Sequence, residues 1–158
     1  LTKHIIDDDF TWADSLYPAD VDGDGDLDVL GAGAGDDEIA WWQNDGNGNF
    51  TERTVVDDFH GAEYVHAADL DADGDVDILG ASDDAHEIAW WENDGSESFT
   101  KHAVEQDCAW VRSAYASDVN GDGALDIVGI AAKGDEITWW ENDGTGDFGR
   151  HTIEASVP

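Results

Sequence analysis

The pattern Asp-x-Asp/Asn-x-Asp-Gly-x-x-Asp occurs three times, at Asp20–Asp28, Asp69–Asp77 and Asp118–Asp126, each copy 49 residues after the last. Carboxylates crowded this closely repel one another unless a cation sits among them. Alternate positions of a tight loop can aim their oxygens at one point, and Gly25, Gly74 and Gly123 permit the sharp turn. An all-oxygen donor set in a flexible loop selects a hard cation, and Ca2+ fits it best. A helix-flanked EF-hand loop is the competing reading. It needs a bidentate Glu at its twelfth position, where this chain has Gly31, Gly80 and Gly129, and the residues that follow each loop read as strand.

The repeat extends far beyond the acidic loops. Trp-Trp recurs at 41–42, 90–91 and 139–140, Asn-Asp-Gly at 44–46, 93–95 and 142–144, and then Phe50, Phe99 and Phe148. A period of this length signals stacked or radially arranged units. Each unit reads as four short strands, which in the first are Leu16–Asp20, Leu27–Ala32, Glu38–Asn44 and Phe50–Val56. Asn-Asp-Gly is a hairpin signal between the last two, because these residues tolerate positive φ. Leu1–Asp7 matches the run after each Phe. The chain therefore reads as one repetitive domain over 1–158: an extra strand at 1–7, then units at about 8–56, 57–105 and 106–154. The fold class predicted is all-β, a β-propeller built of four-stranded antiparallel blades.

These motifs resemble the FG-GAP/VCBS repeats, the calcium-binding blades of integrin-alpha-type β-propellers and of many secreted microbial proteins. The resemblance covers nearly the whole chain: acidic loop, apolar strand, then Trp-Trp-x-Asn-Asp-Gly-x-x-x-Phe. It implies that Asp20, Asp22, Asp24 and Asp28 supply side-chain ligands, with the backbone carbonyl of Asp26 filling in. The second copy matches at Asp69, Asp71, Asp73, Asp75 and Asp77. The third has Asp118, Asn120, Asp122, Ala124 and Asp126. A carbonyl needs no particular side chain, so Ala124 can serve, but Asn120 removes one negative charge and makes this the weakest site. The resemblance thus implies about three Ca2+ per chain.

Composition narrows the partners. The chain has 39 acidic and 6 basic residues, a formal net charge of −33. Such a surface repels nucleic acid, whose binding depends on Lys and Arg neutralising phosphates, and it opposes anionic membranes. Self-repulsion on this scale is relieved by salt, which points to a halophilic or marine setting, with a calcium-rich extracellular medium of ordinary salt as the alternative. The single cysteine, Cys108, excludes an intrachain disulfide; Phe10 and Phe59 stand at its repeat-equivalent positions, so a buried apolar role is predicted. No signal peptide or membrane-spanning run is visible and the chain does not begin with Met, which fits a mature or excised segment. Calcium loops of this kind suit an extracellular or cell-surface location.

Comparison of the units with one another points to a ligand face. They diverge in the connection between units (Asp8–Ser15, Asp58–Tyr64, Gln106–Ser113) and in that between the second and third strands (Gly33–Asp37, Ser82–His86, Ala131–Asp135). In an antiparallel sheet both connections emerge at one rim, and the acidic loops and Asn-Asp-Gly turns at the other. Function on a rigid scaffold tends to lie in its variable loops. The candidates there are Trp12, Tyr17, Tyr64, His86, Trp110, Arg112 and Tyr115. Aromatic faces stack on the apolar faces of sugars, and Arg112 can hold a carboxylate or sulfate. The plainer reading of Trp12, Trp110 and the Trp-Trp pairs is packing where units meet. His60, His66 and His86 match no zinc spacing. With no nucleophile elbow, phosphate loop or triad, the chain reads as a non-enzyme. The function predicted is a calcium-stabilised binding module for carbohydrate or a cell surface. The alternatives are an assembly repeat and, less favoured, part of a secreted polysaccharide-acting enzyme. Three blades are too few to close a ring, so two copies forming a six-bladed ring, or a longer propeller, are predicted.

Overall fold

The computed structural model describes residues 2–108, 110–131 and 136–154, and every regular element among them is a strand. The first unit holds β1 (Ala13–Ala19), β2 (Asp28–Gly33), β3 (Glu38–Asn44) and β4 (Phe50–Val56). The second holds β5 (Ala62–Ala68), β6 (Asp77–Ser82), β7 (Glu87–Asn93) and β8 (Phe99–Gln106). The third holds β9 (Val111–Ser117), β10 (Asp126–Ala131), β11 (Glu136–Asn142) and β12 (Phe148–Glu154). Each unit is one antiparallel sheet with its strands in chain order. The third and fourth strands of the first unit match the prediction. The first begins earlier, because β1 continues past an irregularity at Ala13/Ser15 to pair Ala13 with Gly33. The third β10–β11 connection, part of the divergent face read from sequence, lies at 132–135, outside the described residues.

Burial follows strand position. The second strand is covered on both faces, and β6 is buried along its whole length, which suits its Ile-Leu-Gly-Ala run. The outermost strand, such as Phe50–Val56, carries Thr51, Glu52, Arg53 and Thr54 in succession and stays largely exposed. The sheets meet chiefly through β1, β5 and β9. Sheet 2 lies between its neighbours, with one apolar core against sheet 1 and another against sheet 3.

Side-chain alternation explains the paired tryptophans. Trp41 and Trp91 enter the core between sheets 1 and 2, and Trp90 and Trp140 the core between sheets 2 and 3. Each second Trp lies flat across a glycine of the neighbouring strand. A Cβ on Gly31 would stand 2.7 Å from the Trp42 ring, and one on Gly80 2.8 Å from the Trp91 ring. Phe10 and Phe59 meet Trp42 and Trp91 edge-on, at 4.9 and 5.0 Å. Cys108, at the same repeat position, is buried.

The strand predicted over 1–7 does not form among the described residues. Thr2–Asp7 has no regular structure and runs beside Leu16, Val29 and Trp42. It lies against the face of sheet 1, where no strand edge offers it hydrogen bonds. The Trp42 indole donates to Asp7 Oδ2 at 3.1 Å, as Trp140 donates to Glu105 Oε2 at 3.3 Å. Asp7 and Glu105 are repeat-equivalent, so the segment occupies the place that the end of β8 takes over sheet 3. Both ends of the row remain apolar. Leu16 is 63% exposed whereas its equivalents Val65 and Ala114 are at 1% and 0%. At the other end Ile137 is 44% exposed whereas Ile39 and Ile88 are both at 0%.

Candidate functional site

The acidic loops share one hydrogen-bond scheme. Asp28, the ninth residue of its loop, is buried and accepts from Val21 N (2.9 Å) and Asn44 N (2.8 Å). Asp77 accepts from Leu70 N and Asn93 N, and Asp126 from Val119 N and Asn142 N. This carboxylate ties the loop's start to the end of the third strand. Inside the loop, Gly25 N donates to Asp20 Oδ2, Asp24 N to Asp22 Oδ1 and Asp26 N to Asp24 Oδ1. The same three bonds recur at Asp69, Asp71 and Asp73. Gly25, Gly74 and Gly123 have φ of 98°, 104° and 99°, which only glycine adopts freely. The Asn-Asp-Gly turns stand beside the loops: a Cβ on Gly46 or Gly95 would collide with the carboxylate of Asp26 or Asp75.

Two loops gather carboxylates that could hold a cation. Oxygens of Asp20, Asp22 and Asp28 converge within 4.8 Å of one another, as do those of Asp69, Asp71 and Asp77. Asp20 Oδ1 and Asp69 Oδ1 are buried and accept no hydrogen bond. A buried carboxylate oxygen without a donor is costly, and a hard cation removes that cost. Burial pushes Asp28 above the usual carboxylate range and Asp77 up to about 7. The third loop differs. Asp118 uses both oxygens, accepting from Gly121 N and Gly123 N at 2.7 and 3.1 Å. The Asn120 amide donates to Asp122 and Glu141. Ala124 contributes its N–H to Asp122 Oδ1 and no side-chain donor atom.

The divergent connections gather at the opposite rim, linked across sheets. Phe59 N donates to Asp37 O and Cys108 N to His86 O, both at 2.8 Å. Asp37 also accepts from Gly61 N, which holds its carboxyl low, and with the adjacent carboxylate the His60 imidazole is pushed up. Trp12 and Trp110 do not pack where the sheets meet, so the plainer sequence reading fails for them. They are 75% and 53% exposed. Both stand in the left-handed backbone region, with φ of 50° and 64°, and Gly61 occupies the equivalent place in the middle unit with φ 65°. Bulky residues avoid this region, and Trp12 is held in it partly because its carbonyl accepts from Ala34 N. His86 has φ 54° and is also exposed.

Position 14/63/112 adds charge to the same rim. Burial raises Glu63 above the usual range, with the fields of the exposed Arg112 and of Asp14 acting on it in opposite directions. Asp83 Oδ1 is buried nearby without a hydrogen bond. Tyr17 and Tyr115, with His66, form an edge-to-face aromatic file along β1, β5 and β9: Tyr17–His66 at 4.4 Å and His66–Tyr115 at 5.8 Å. Tyr64 meets Tyr115 at 5.1 Å, and burial with that contact pushes its hydroxyl pKa up. The structure therefore splits the sequence candidates. Trp12, Trp110, Arg112 and His86 face solvent, whereas Tyr17 and Tyr64 are half-buried, and exposed Tyr115 ends the file. Sequence reasoning did not single out Asp14, Glu63 or Asp83; the repeat offset linking Asp14, Glu63 and Arg112 was the available signal.

A family model described as an FG-GAP-like repeat matches residues 20–80 and 69–129. No curated protein matches the sequence. Among solved structures, a lectin of Agrocybe aegerita, described for specific recognition of non-reducing terminal N-acetylglucosamine, is similar to this chain with a TM-score of 0.63 and 26% identity. The alignment covers 89% of this chain and 38% of the lectin, so the chain spans well under half of that protein's length.

Proposed function

The chain belongs to the FG-GAP-like repeat family, and on that premise we propose that it is a calcium-stabilised, extracellular carbohydrate-recognition module. Its three sheets act as blades of a β-propeller arc. The observation that carries the sugar reading is the pair Trp12 and Trp110. They are exposed on the variable rim and held in a backbone conformation that tryptophan disfavours. Strain of this kind persists where a side chain must be presented. Two exposed indoles on the rim that also carries Arg112, Glu63 and Asp14 supply stacking surface and hydroxyl partners, the usual composition of a sugar site. The similarity to the lectin supports the same reading and makes terminal N-acetylglucosamine the first sugar to try.

Calcium is assigned a structural role. Asp20, Asp22 and Asp28, with Asp24 and Asp26 in the same loop, would hold one ion; Asp69, Asp71 and Asp77, with Asp73 and Asp75, would hold another. Its chemistry there is neutralisation: a divalent ion lets the carboxylates converge and fixes the loop that joins the first two strands. Binding without catalysis, outside the cell and in high salt, completes the proposal. A second reading, assembly, is favoured by the apolar ends at Leu16 and Ile137. Two copies closing one ring, or further blades on either side, would cover them. Light scattering in calcium gives twice the chain mass in the first case.

A glycan-array screen in calcium and high salt, repeated in EDTA, tests the module. Calcium-dependent binding to one sugar class, lost in Trp12→Ala or Trp110→Ala with the fold intact, is the result expected. A blank array from folded, calcium-loaded protein rejects sugar recognition and leaves assembly.

A further inference from the structure

The Asn of each Asn-Asp-Gly turn does more than shape its own hairpin. Asn93 is 2% exposed, and its Nδ2 donates to two carbonyls in different units: Val76 of its own loop and Val21 of the preceding loop, both at 3.2 Å. Asn142 repeats this with Leu125 O at 2.9 Å and Leu70 O at 2.7 Å. Val21 lies between Asp20 and Asp22, and Leu70 between Asp69 and Asp71. The peptide N–H of each is already fixed by the ninth-position carboxylate of its loop, Asp28 or Asp77. The residue at the centre of the convergent carboxylates is thus held at its N–H from within the loop and at its carbonyl from the next sheet.

We infer that each cation loop is completed by the Asn amide of the following unit, so that cation binding and the docking of neighbouring sheets form one coupled equilibrium. This rests on the calcium reading above. Asn93 and Asn142 are positioning residues: they ligate nothing, but they orient the peptide that carries two ligands. The chain supplies its own comparison. Loops 20–28 and 69–77 have the clamp, bury Val21 and Leu70 to 3% and 2%, and converge three carboxylates each. Loop 118–126 receives no such Asn among the described residues. Its equivalent residue, Val119, is 45% exposed, and Asp118 spends both oxygens on its own loop's N–H groups. The third loop is therefore an acceptor awaiting an incoming Asn. The unit that completes it must carry the same turn, and this chain's own Asn44 is of that kind: among the described residues its Nδ2 donates only to Leu27 O of its own loop. A second copy docking sheet 1 onto sheet 3 would complete the third loop as it covers Ile130 and Ile137.

The test reads one loop at a time. In a chain carrying Asp71→Ala and Asp122→Ala, loop 20–28 is the intact site, and Ca2+ affinity is measured by displacement of Trp-sensitised Tb3+. Asn93→Ala, from another unit, should weaken that affinity about tenfold or more, the usual effect of losing a residue that orients a ligand. Asn142→Ala, which touches the other two loops, should leave it within about twofold, as expected for a distant independent site. If Asn93→Ala fails to fold, Asn93→Asp keeps the shape and the acceptor to Gly95 N while removing both donors, and is read instead. Unchanged affinity in the folded Asn93 variant overturns the inference while leaving calcium binding intact. Absence of any Ca2+ or Tb3+ binding by the unmutated chain overturns the calcium reading, and the inference with it.

Discussion

Replacing Trp12 with glycine separates display from packing, because the two roles differ in sign and size. Trp12 is 75% exposed. With about 250 Å² for the side chain, it hides only about 60 Å², worth about 1.5 kcal/mol at about 25 cal/mol per Å². Its left-handed backbone costs about 1–2 kcal/mol for an L-residue, which glycine recovers. The greater freedom of glycine in the unfolded chain takes back about 0.5–1 kcal/mol. Trp12→Gly should therefore fall within about 1 kcal/mol of the parent in urea unfolding with calcium present. Trp110 is 53% exposed. It hides about twice the area of Trp12, so Trp110→Gly should cost about 2 kcal/mol. The benchmark is Trp91→Ala in the core, at about 3–5 kcal/mol. Gly61, which fills the same position in the middle unit, shows that the backbone accepts the change. A loss of about 3 kcal/mol or more for Trp12→Gly would place Trp12 in a packing role and refute the reasoning, since no buried area here could supply it.

Three further outcomes follow from particular contacts. Asp77→Ala leaves the buried N–H groups of Leu70 and Asn93 without their acceptor, at about 1–3 kcal/mol each in EDTA; in calcium the loss should be larger by about 2–3 kcal/mol as the ion's contribution disappears, and equal losses in both media would remove Asp77 from the cation site. Burial holds the His66 imidazole below its ordinary pKa, so the unfolded chain binds more protons as pH falls below about 6.5 and stability drops there; His66→Tyr, the residue found at the equivalent positions 17 and 115, should flatten that part of the pH profile, and an unchanged slope would mean that His66 does not titrate on unfolding. Because the chain carries −33 charges, raising NaCl from about 0.1 to 1 M, which shortens the Debye length from about 10 to 3 Å, should raise the melting temperature even in EDTA, and a flat response would reject charge repulsion as a limiting term.

The periodic features were readable in the chain because each is local. Glu38–Asn44 and Phe50–Val56 are strands with the limits their alternation and the intervening Asn-Asp-Gly turn suggested. The acidic loops and divergent connections fall on opposite rims because an antiparallel sheet leaves no other arrangement. What escaped depends on backbone angle or on the neighbouring unit. Periodicity does not report φ, so it left Trp12 and Trp110 between ligand contact and packing, and only the structure shows them exposed in the left-handed region. Asn93 reads as a turn residue, and its second bond, to Val21, spans 72 residues and becomes visible only when two sheets are side by side. The segment 1–7 matches an outer strand in sequence, but a strand forms only against an edge, and Thr2–Asp7 lies on a face.

The most direct test of the account is a calcium isotherm on the unmutated, EDTA-stripped chain, followed by a thermal melt of each form in low and in high salt. The account gives two tight ions, from the clamped loops 20–28 and 69–77, a third that binds far more weakly, and a melting temperature that rises with the first two. No calcium uptake, or a melt that EDTA leaves unchanged at both salt concentrations, contradicts it.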